Sequence, residues 1–566
     1  MLRYRRAMLT PRLPSYDLSA WRSWPFHERV RTVCQSWAID GYGTPILVYL
    51  VYVLKIAAWL AGWVFFCTFT EGYTVENIDT WWATRTAFAK FVLWIMLFEG
   101  LGFGCGSGPL TGRYFPPLGG FLYFLRPGTT KLPMIEGFPV LGGIRRTVID
   151  VGLYLATIGV LGHALISETP TIEHLGALVV LVPVMGLLDK TLFLVFRSEH
   201  YLSVIVCLLA GADWIAGSKL VWMAIWWGAA TSKLNHHFPA VMCVMTSNAP
   251  ITQFTPFMRR MIYRNYPDDL RPSSLAHVFA HFGTAVEYLV PLGLLAFGDG
   301  GPITASLLFI ITGFHIFIFL NVPMGVPLEW NFVMIYGAFV LFGVHADVSV
   351  LSITTPWLVA YLAIAHLVIP IFGSMFPERV SFLLSHRYYA GNWAYNVWLF
   401  RGDAQQKLKK LTRTSPLVKD QLKLLYDQDI IEAAVSKVMA FRFMHLLGGA
   451  LKTLVPQAVD DIEEYEWLDG ELVAGVVVGW NFGEGHLGNP QLLRAVQAQC
   501  GFEPGELRVI SVESQPIHRR DAAWWITDAA TGTLASGRMT IAQMAEGQPW
   551  PEVPTEASSP LSAAPS

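Results

Sequence analysis

The fold class of this chain is decided by PILVYLVYVLKIAAWLAGWVFFCTFT, residues 45–70. A helix needs about 20 mostly apolar residues to cross the hydrocarbon core of a bilayer. This stretch provides them, with Lys55 as its one charged residue. Further runs that meet or nearly meet this length are 84–104, 147–166, 174–196, 201–216, 219–237, 274–297, 302–321, 327–344 and 353–374. The sequence therefore predicts an all-α polytopic membrane helix bundle of about ten spans over residues 45–375.

The composition also favours a membrane protein. The 566-residue chain is 53% hydrophobic and 14% charged, whereas an average soluble domain is roughly 25% charged. Trp, Tyr and Phe make up 13% of the chain, as expected for aromatic belts at two membrane interfaces. The formal net charge is −2, so nothing in the charge balance suggests nucleic acid as a partner. We therefore expect membrane lipids, and no nucleic acid, among the partners.

The charges of the loops predict the orientation, because Lys and Arg stay on the cytoplasmic side. The N-terminal arm and the loops 105–146 and 238–273 carry arginines, whereas the loops 70–82 and 167–173 are acidic. Ten spans satisfy every alternation, and nine or eleven would break the pattern. We expect a multi-pass protein of a bacterial inner (plasma) membrane, with both termini in the cytoplasm.

The N-terminal arm, residues 1–44, is too polar to be a secretory signal peptide. Its arginines predict a basic cytoplasmic arm that lies on the lipid headgroups. Trp21, Trp24 and Phe26 are candidate anchors at the membrane interface.

From about residue 376 the sequence changes to a mixed α and β pattern. Apolar residues recur at three- and four-residue spacing over 420–454, which predicts helix. The predicted strands are ELVAGVVVGWNF (471–482), ELRVISVESQ (506–515) and a pair joined by a turn in AAWWITDAATGTLASGRMTIAQM (522–544). We expect a small cytoplasmic α+β C-terminal domain over 376–547 and a disordered tail over 548–566.

Polar residues inside an apolar bundle are costly, so they are candidates for function. The richest segment is AIWWGAATSKLNHHFPAVM, residues 224–242, in which Lys233 follows a run of small residues. A desolvated lysine can serve as a base or nucleophile, and the alternative is a lysine that reaches out to the interface. Asn235, His236 and His237 follow it as candidate substrate-binding residues.

A second polar segment is SSLAHVFAHFGTAVEYLVPLGLL, residues 273–295. His277 and His281 share one helix face, and Glu287 lies further round the same helix. Two histidines at this spacing can bind a metal, but too few further ligands follow. A hydrogen-bonded network between helices is therefore the favoured interpretation, without a metal.

A third polar segment is FHIFIFLNVPMGVPLEWNFVMIYGAFVLFG, residues 314–343. Its helix breaks at 321–325, so His315, Glu329 and Asn331 are expected either to border a cavity or to lie in an ordinary cytoplasmic turn. In the glycine-rich loop EGLGFGCGSGPLTGRYFPPLGG, residues 99–120, Arg113 is a candidate lipid-headgroup ligand. The alternative for that loop is tight packing alone.

These three segments, in this order, resemble the horizontally transferred transmembrane domain of the vitamin K-dependent gamma-carboxylase type. The resemblance covers residues 219–345 and implies that Lys233 is the catalytic base, with His281 and Glu287 on one helix. On the next helices it implies His315, Gly325 and Asn331 as site residues. The sequence departs from that pattern after the lysine, where HHFP follows, so the carboxylation chemistry is not carried over. The whole chain also resembles an uncharacterised, mainly actinobacterial family of multi-pass membrane proteins, which implies no activity.

Three functions remain open from the sequence. The first is a membrane-embedded enzyme that acts on a lipid-soluble molecule such as a quinone or isoprenoid. In it, Lys233 is the base and His281, Glu287 and His315 transfer protons or orient the substrate. The second is a transporter or lipid-handling component, and the third is an accessory protein that recruits a cytoplasmic protein partner. The sequence indicates no particular cofactor.

Overall fold

The computed structural model describes residues 11–104, 119–139, 141–253, 255–320, 328–387, 391–413, 416–424, 426–481 and 490–552. Three of the sequence-based expectations lie outside these ranges. They are Arg113 with most of its glycine-rich loop, the helix break at 321–325 with Gly325, and the tail from residue 553.

Up to residue 375, the regular structure in the described ranges is helical apart from one short hairpin. Its main helices are α1 (Phe26–Asp40), α2 (Ile46–Cys67), α3 (Arg85–Gly100), α4 (Val148–Ile166), α5 (Ile172–Leu188), α6 (Ser198–Leu209), α7 (Trp214–Lys233), α8 (Phe238–Asn248), α9 (Ser274–Phe297), α10 (Pro302–Leu320), α11 (Leu328–Ala338) and α12 (Pro356–Met375). Shorter helices are Leu18–Trp21, Ile78–Trp81, Gly119–Phe124, Lys190–Val195 and Pro256–Ile262, and the hairpin strands are β1 (Tyr263–Asn265) and β2 (Asp269–Pro272).

Five helices in the described ranges are long and apolar enough to cross a membrane: α2, α4, α9, α10 and α12. Their outer faces carry large exposed apolar side chains such as Val53, Phe282 and Phe309, the last 80% exposed. Such a surface fits lipid rather than water. The helices Ile172–Leu188, Ser198–Leu209 and Glu329–Val344 are apolar but shorter. The protein is therefore an integral membrane protein with several apolar helices.

Helix α7 lies in the interior of the bundle, and it positions Lys233. It packs against α6, α9 and α12, and most of its side chains are buried. The small residues Gly228, Ala229 and Ala230 allow close packing at its end, as expected from their size. Lys233 is the last residue of α7, and it is buried together with most of that helix.

The last third of the chain forms one five-stranded antiparallel sheet with helices packed on it. The strands are β3 (Tyr395–Arg401), β4 (Tyr465–Asp469), β5 (Leu507–Val512), β6 (Asp521–Asp528) and β7 (Gly532–Thr540), in the order β4-β3-β5-β6-β7. The helices are Val418–Leu422, α13 (Gln428–Met444), α14 (Gly448–Gln457), α15 (Gly470–Val478), α16 (Gln491–Cys500) and Ile541–Ala545. The predicted hairpin is confirmed, because β6 and β7 pair from Asp521↔Thr540 to Asp528↔Gly532.

One strand prediction was wrong, since residues 470–478 form the helix α15. The Asp469 side chain caps its first turn by accepting a hydrogen bond of 2.7 Å from the Glu471 backbone N–H. Gly479 ends it in the left-handed region, at φ +74°. Every residue from Gly470 to Val478 except Glu471 is buried, so no amphipathic period distinguishes helix from strand here.

From residue 11 onwards, the N-terminal arm packs against the rest of the protein. Helix α1 lies against α8 and α13. Trp21 and Phe26, predicted to be interface anchors, are each 4% exposed, and the Phe26 ring packs edge-on against Trp467. Two arginines of the arm pair with acidic residues of the last third: Arg22 with Asp429 and Glu432, and Arg29 with Glu463.

Candidate functional site

Lys233 and Glu287 form a buried ion pair between α7 and α9. Their side chains are each 3% exposed, and Lys233 Nζ donates to Glu287 Oε2. Lys233 Nζ also lies 5.2 Å and 5.3 Å from the ring centroids of Phe238 and Phe314. The two charges compensate each other in otherwise apolar surroundings, and removal of either one would leave the other buried and unpaired. The sequence suggested both residues but not their pairing.

His315 lies close to this pair and is held at both ring nitrogens. The Trp226 indole N–H donates to His315 Nε2 over 3.0 Å. An indole nitrogen can only donate, so Nε2 is the accepting nitrogen and Nδ1 carries the proton. Nδ1 lies 3.1 Å from Asn331 Oδ1, to which it donates. The geometry thus fixes His315 in the neutral form with the proton on Nδ1.

Four of these residues, Lys233, Glu287, His315 and Asn331, meet at a cavity of about 240 Å³. It exceeds the roughly 150 Å³ of an engineered cavity that binds benzene. Lys233, Glu287, His315 and Asn331 all line it, and the remaining wall is mostly apolar: Ile225, Trp226, Ala229, Phe238, Val241, Met242, Met245, Phe279, Phe314, Phe317, Ile318 and Met334. An apolar cavity with a few convergent polar groups is the usual form of a small-molecule site.

The cavity continues to the last third of the chain, where Arg442, Glu471 and Asn481 line it. Arg442 Nε donates to Asp469, and its Nη2 lies 2.8 Å from Glu471 Oε1. The Trp393 side chain lies beside Glu471 as well. Burial raises the pKa of Glu471 to about 7, although the Arg442 charge opposes the rise.

The cavity extends to helices α9 and α10. Phe279 on α9 and Phe317 on α10 line it and are 39% and 44% exposed. Both helices are long and apolar enough to span a membrane.

The other predicted site residues lie away from this cavity. Asn235 is buried and donates to the Gln515 carbonyl over 2.9 Å, and His237 packs against His445 with ring centroids 5.4 Å apart. His236, His277 and His281 are exposed, and all three lie near enough to interact electrostatically. Of the predicted catalytic set, His281 alone is therefore separated from the ion pair. No group of three or more His, Cys, Asp or Glu side chains in the described ranges is arranged to hold a metal ion.

Sequence reasoning missed a second polar group, here called the charged cluster: Lys55, Glu99, Arg197, Glu199, His200, Glu329, His366 and His386. Lys55 Nζ lies 2.6 Å from Glu329 Oε1, which places Glu329 here rather than with His315. Arg197 Nε lies 3.3 Å from Glu199 Oε1. The four consecutive polar residues RSEH, 197–200, between two apolar runs were the available signal.

Trp330 separates the charged cluster from the cavity. Its ring centroid lies 4.8 Å from that of His200, and it also lines the cavity. Glu329, Trp330 and Asn331 are consecutive, so the first turn of α11 contacts both sites.

Two comparisons with known proteins found nothing similar, since no curated protein and no solved structure matches the chain. A family model described as "Transmembrane protein of unknown function (DUF3556)" matches residues 7–558, from the N-terminal arm to beyond the last strand. The match agrees with the apolar helices described above. The chain therefore belongs to the DUF3556 family of transmembrane proteins.

Proposed function

We propose that the protein is a membrane-embedded enzyme that transfers a proton to or from a lipid-soluble substrate. The observation that carries this proposal is the apolar cavity lined by the Lys233–Glu287 pair, His315 and Asn331. Proton transfer needs a positioned acid and base at the reacting group, and this pair provides both.

The ion pair can act in two protonation states. As an ammonium and a carboxylate, Lys233 is the proton donor and Glu287 the base. After one proton passes from Lys233 to Glu287, both groups are neutral, and Lys233 is then the base that the sequence suggested. In either state the pair carries no net charge, which suits an apolar cavity. His315, held at both nitrogens, orients the substrate, and the exposed His281 has no part in the proposal.

Quinones and isoprenoids are the substrate classes that suit the apolar wall and its exposed side chains Phe279 and Phe317. For the fold, we propose that about ten helices cross a bacterial inner membrane and that both termini lie in the cytoplasm. Its support is the alternation of loop charges, together with the partial likeness to the gamma-carboxylase-type domain.

The test is a turnover experiment on the full-length protein in nanodiscs supplied with a bacterial lipid extract in D₂O. Mass spectrometry then measures lipid conversion and deuterium uptake for wild type and for Lys233→Met/Glu287→Leu. Because replacing a buried ion pair by apolar residues often preserves stability, the double variant should fold but lose turnover. His281→Ala is the control on the same helix and should keep wild-type turnover. Equal conversion by wild type and the folded double variant would contradict the proposal.

A lipid-handling component is the second candidate, favoured by the extension of the cavity to α9 and α10. It predicts that the same lipid is bound and released chemically unchanged. In the D₂O experiment it would give retention of a defined lipid without conversion or deuterium uptake.

A further inference from the structure

Part of the loop between β5 and β6 lies against the end of helix α12. The backbone N–H of Ile517 donates to the Ser374 carbonyl oxygen over 2.9 Å, and Ser374 is in the last turn of α12. The helix has 20 residues and is long and apolar enough to cross a membrane, so its end marks one membrane surface. The segment PIHRR, residues 516–520, is therefore held at the level of the lipid headgroups.

A strip of exposed apolar side chains runs from α12 onto this loop. Phe372 and Phe376 are 47% and 38% exposed, and their ring centroids lie 5.0 Å apart. The Phe376 ring centroid lies 6.1 Å from that of His518. The next residue along the strip, Ile517, is 38% exposed. Aromatic and apolar side chains at the end of a spanning helix are typical of the membrane interface, so the apolar surface of the bundle continues onto the last third of the chain.

The charges beside this strip are mainly positive. The two segments that meet here, 376–380 and 516–520, contain three arginines and one acidic residue, Glu378. Arg519 binds both carboxylate oxygens of Asp521, over 2.9 Å and 3.0 Å. Arg379 and Arg520 are exposed, and neither forms an ion pair with any residue that the structure describes. Two uncompensated arginines at a membrane surface are complementary to anionic lipid headgroups.

We propose that Arg379, Ile517 and Arg520 form a contact site for anionic phospholipids, here called the headgroup site. Ile517 lies at the boundary of headgroups and acyl chains, and the two guanidinium groups bind the lipid phosphate. A guanidinium group presents parallel N–H donors that match two phosphate oxygens. Phosphatidylcholine carries the same phosphate, but its choline cation cancels the charge, so a lipid with net negative charge is preferred. The contact holds the five-stranded sheet against the bilayer.

The experiment measures lipid contact at residue 517 itself. A bimane fluorophore is attached to Ile517→Cys in a full-length chain without native cysteines, and the protein is placed in phosphatidylcholine nanodiscs. Phosphatidylcholine or phosphatidylglycerol with a nitroxide high on one acyl chain then replaces an equal fraction of the lipid. A nitroxide quenches bimane only at close contact, so quenching reports lipid beside the loop. We expect quenching by both lipids, and clearly stronger quenching by phosphatidylglycerol.

Two neighbouring arginines provide matched variants, since each change lowers the net charge by one. Arg520→Gln removes an unpaired charge, whereas Arg519→Gln removes one that is paired with Asp521. Asp521 then keeps Arg538, which lies 2.6 Å away. One arginine near an anionic surface contributes roughly 5-fold in binding, so Arg520→Gln should lower the preference for phosphatidylglycerol about 5-fold. Arg379→Gln should do the same, and Arg519→Gln should keep the full preference.

The labelled chain with all its arginines already tests the proposal. No quenching at residue 517, or equal quenching by the two lipids, would overturn it. Equal losses for Arg519→Gln and Arg520→Gln would also overturn it, because they would show a general attraction of charge rather than a site. None of these results affects the proton-transfer proposal, which fails separately if Lys233→Met/Glu287→Leu retains turnover.

Discussion

The ion pair of Lys233 and Glu287 makes a prediction about stability that does not depend on the substrate. Glu287→Leu alone leaves a buried ammonium without its partner and should destabilise the protein by about 3–5 kcal/mol. Lys233→Met/Glu287→Leu should recover most of that loss, because no charge then stays buried. The measurement is the midpoint of thermal unfolding in mild detergent for wild type and both variants.

The contrast between the two variants decides this prediction. A double variant that is less stable than the single one would show that the pair holds the helices together by more than charge compensation. His281→Ala serves as the reference for an exposed change on α9 and should leave the midpoint unchanged.

Glu471 gives a prediction about pH. Burial raises its pKa to about 7 in the folded protein, above its ordinary value of 4.5. The folded protein therefore binds this proton more tightly than the unfolded chain does. The stabilising contribution is complete below about pH 4.5 and is lost as the pH rises through about 7.

We expect the unfolding midpoint of Glu471→Gln to change less than that of wild type when the pH is raised from about 5 to about 8. The neutral amide keeps the shape of the side chain beside Arg442 and Trp393 but cannot lose a proton. An identical pH profile for wild type and variant would show that Glu471 does not titrate in this range.

Among the secondary-structure elements, the glycine that ends helix α15 can be tested by substitution. Gly479 ends it at φ +74°, and a Cβ there would lie 2.6 Å from Tyr123 Cδ1. Gly501, at φ +62° after α16, has no atom within 4 Å of such a Cβ. Gly501→Ala should therefore show only the backbone cost of about 1 kcal/mol, and Gly479→Ala a clearly larger loss. Unfolding midpoints of the two variants measure the difference. Equal losses would show that the Tyr123 ring moves away from the added Cβ at no cost in stability.

The elements that the sequence predicted well are those with a clear period or turn. The hairpin of β6 and β7 follows from alternation around TDAATGTLASG, and α13 follows from helical spacing. Helix α15 was mistaken for a strand because its valines favour strands and are buried on every side of the helix. The packing around the segment overrides that residue preference. Strand β3 was not predicted, because six of its seven residues are buried and it shows no alternation.

The candidate site was predicted in its residues but not in its geometry. Lys233, Glu287, His315 and Asn331 stood out because polar residues are rare in apolar helices, and the structure places all four at one cavity. His281 was included because it shares a helix with Glu287, yet it faces outward. The contribution of Arg442 and Asn481 depends on contacts between distant parts of the chain, which no local pattern reveals.

For the whole molecule, the proposed ten-span topology can be tested by cysteine labelling. Helix α6 has 12 residues and is about 18 Å long, well short of a hydrocarbon core of about 30 Å. Helix length therefore does not show whether α6 crosses the membrane, and the test is the side of the membrane on which each loop lies. In a chain without native cysteines, Glu76→Cys and Asp299→Cys should react with an impermeant maleimide on intact cells. Arg264→Cys should react only after permeabilisation, since its loop is basic.

All three positions are exposed in the structure, so a missing signal reflects the side of the membrane rather than burial. Labelling of Arg264→Cys on intact cells, or protection of Asp299→Cys, would exclude ten spans with cytoplasmic termini.

The packing of the N-terminal arm against the last third of the chain has a consequence for biosynthesis. Trp37, from the arm, and Phe441 both line the cavity, with ring centroids 6.1 Å apart. The ribosome makes these two residues at opposite ends of translation, and chains fold as they emerge. During most of synthesis the helices made so far thus border a cavity whose wall is still incomplete. Only a chain translated past α13 can close it, so premature termination would yield an inserted protein that is unable to retain a lipid.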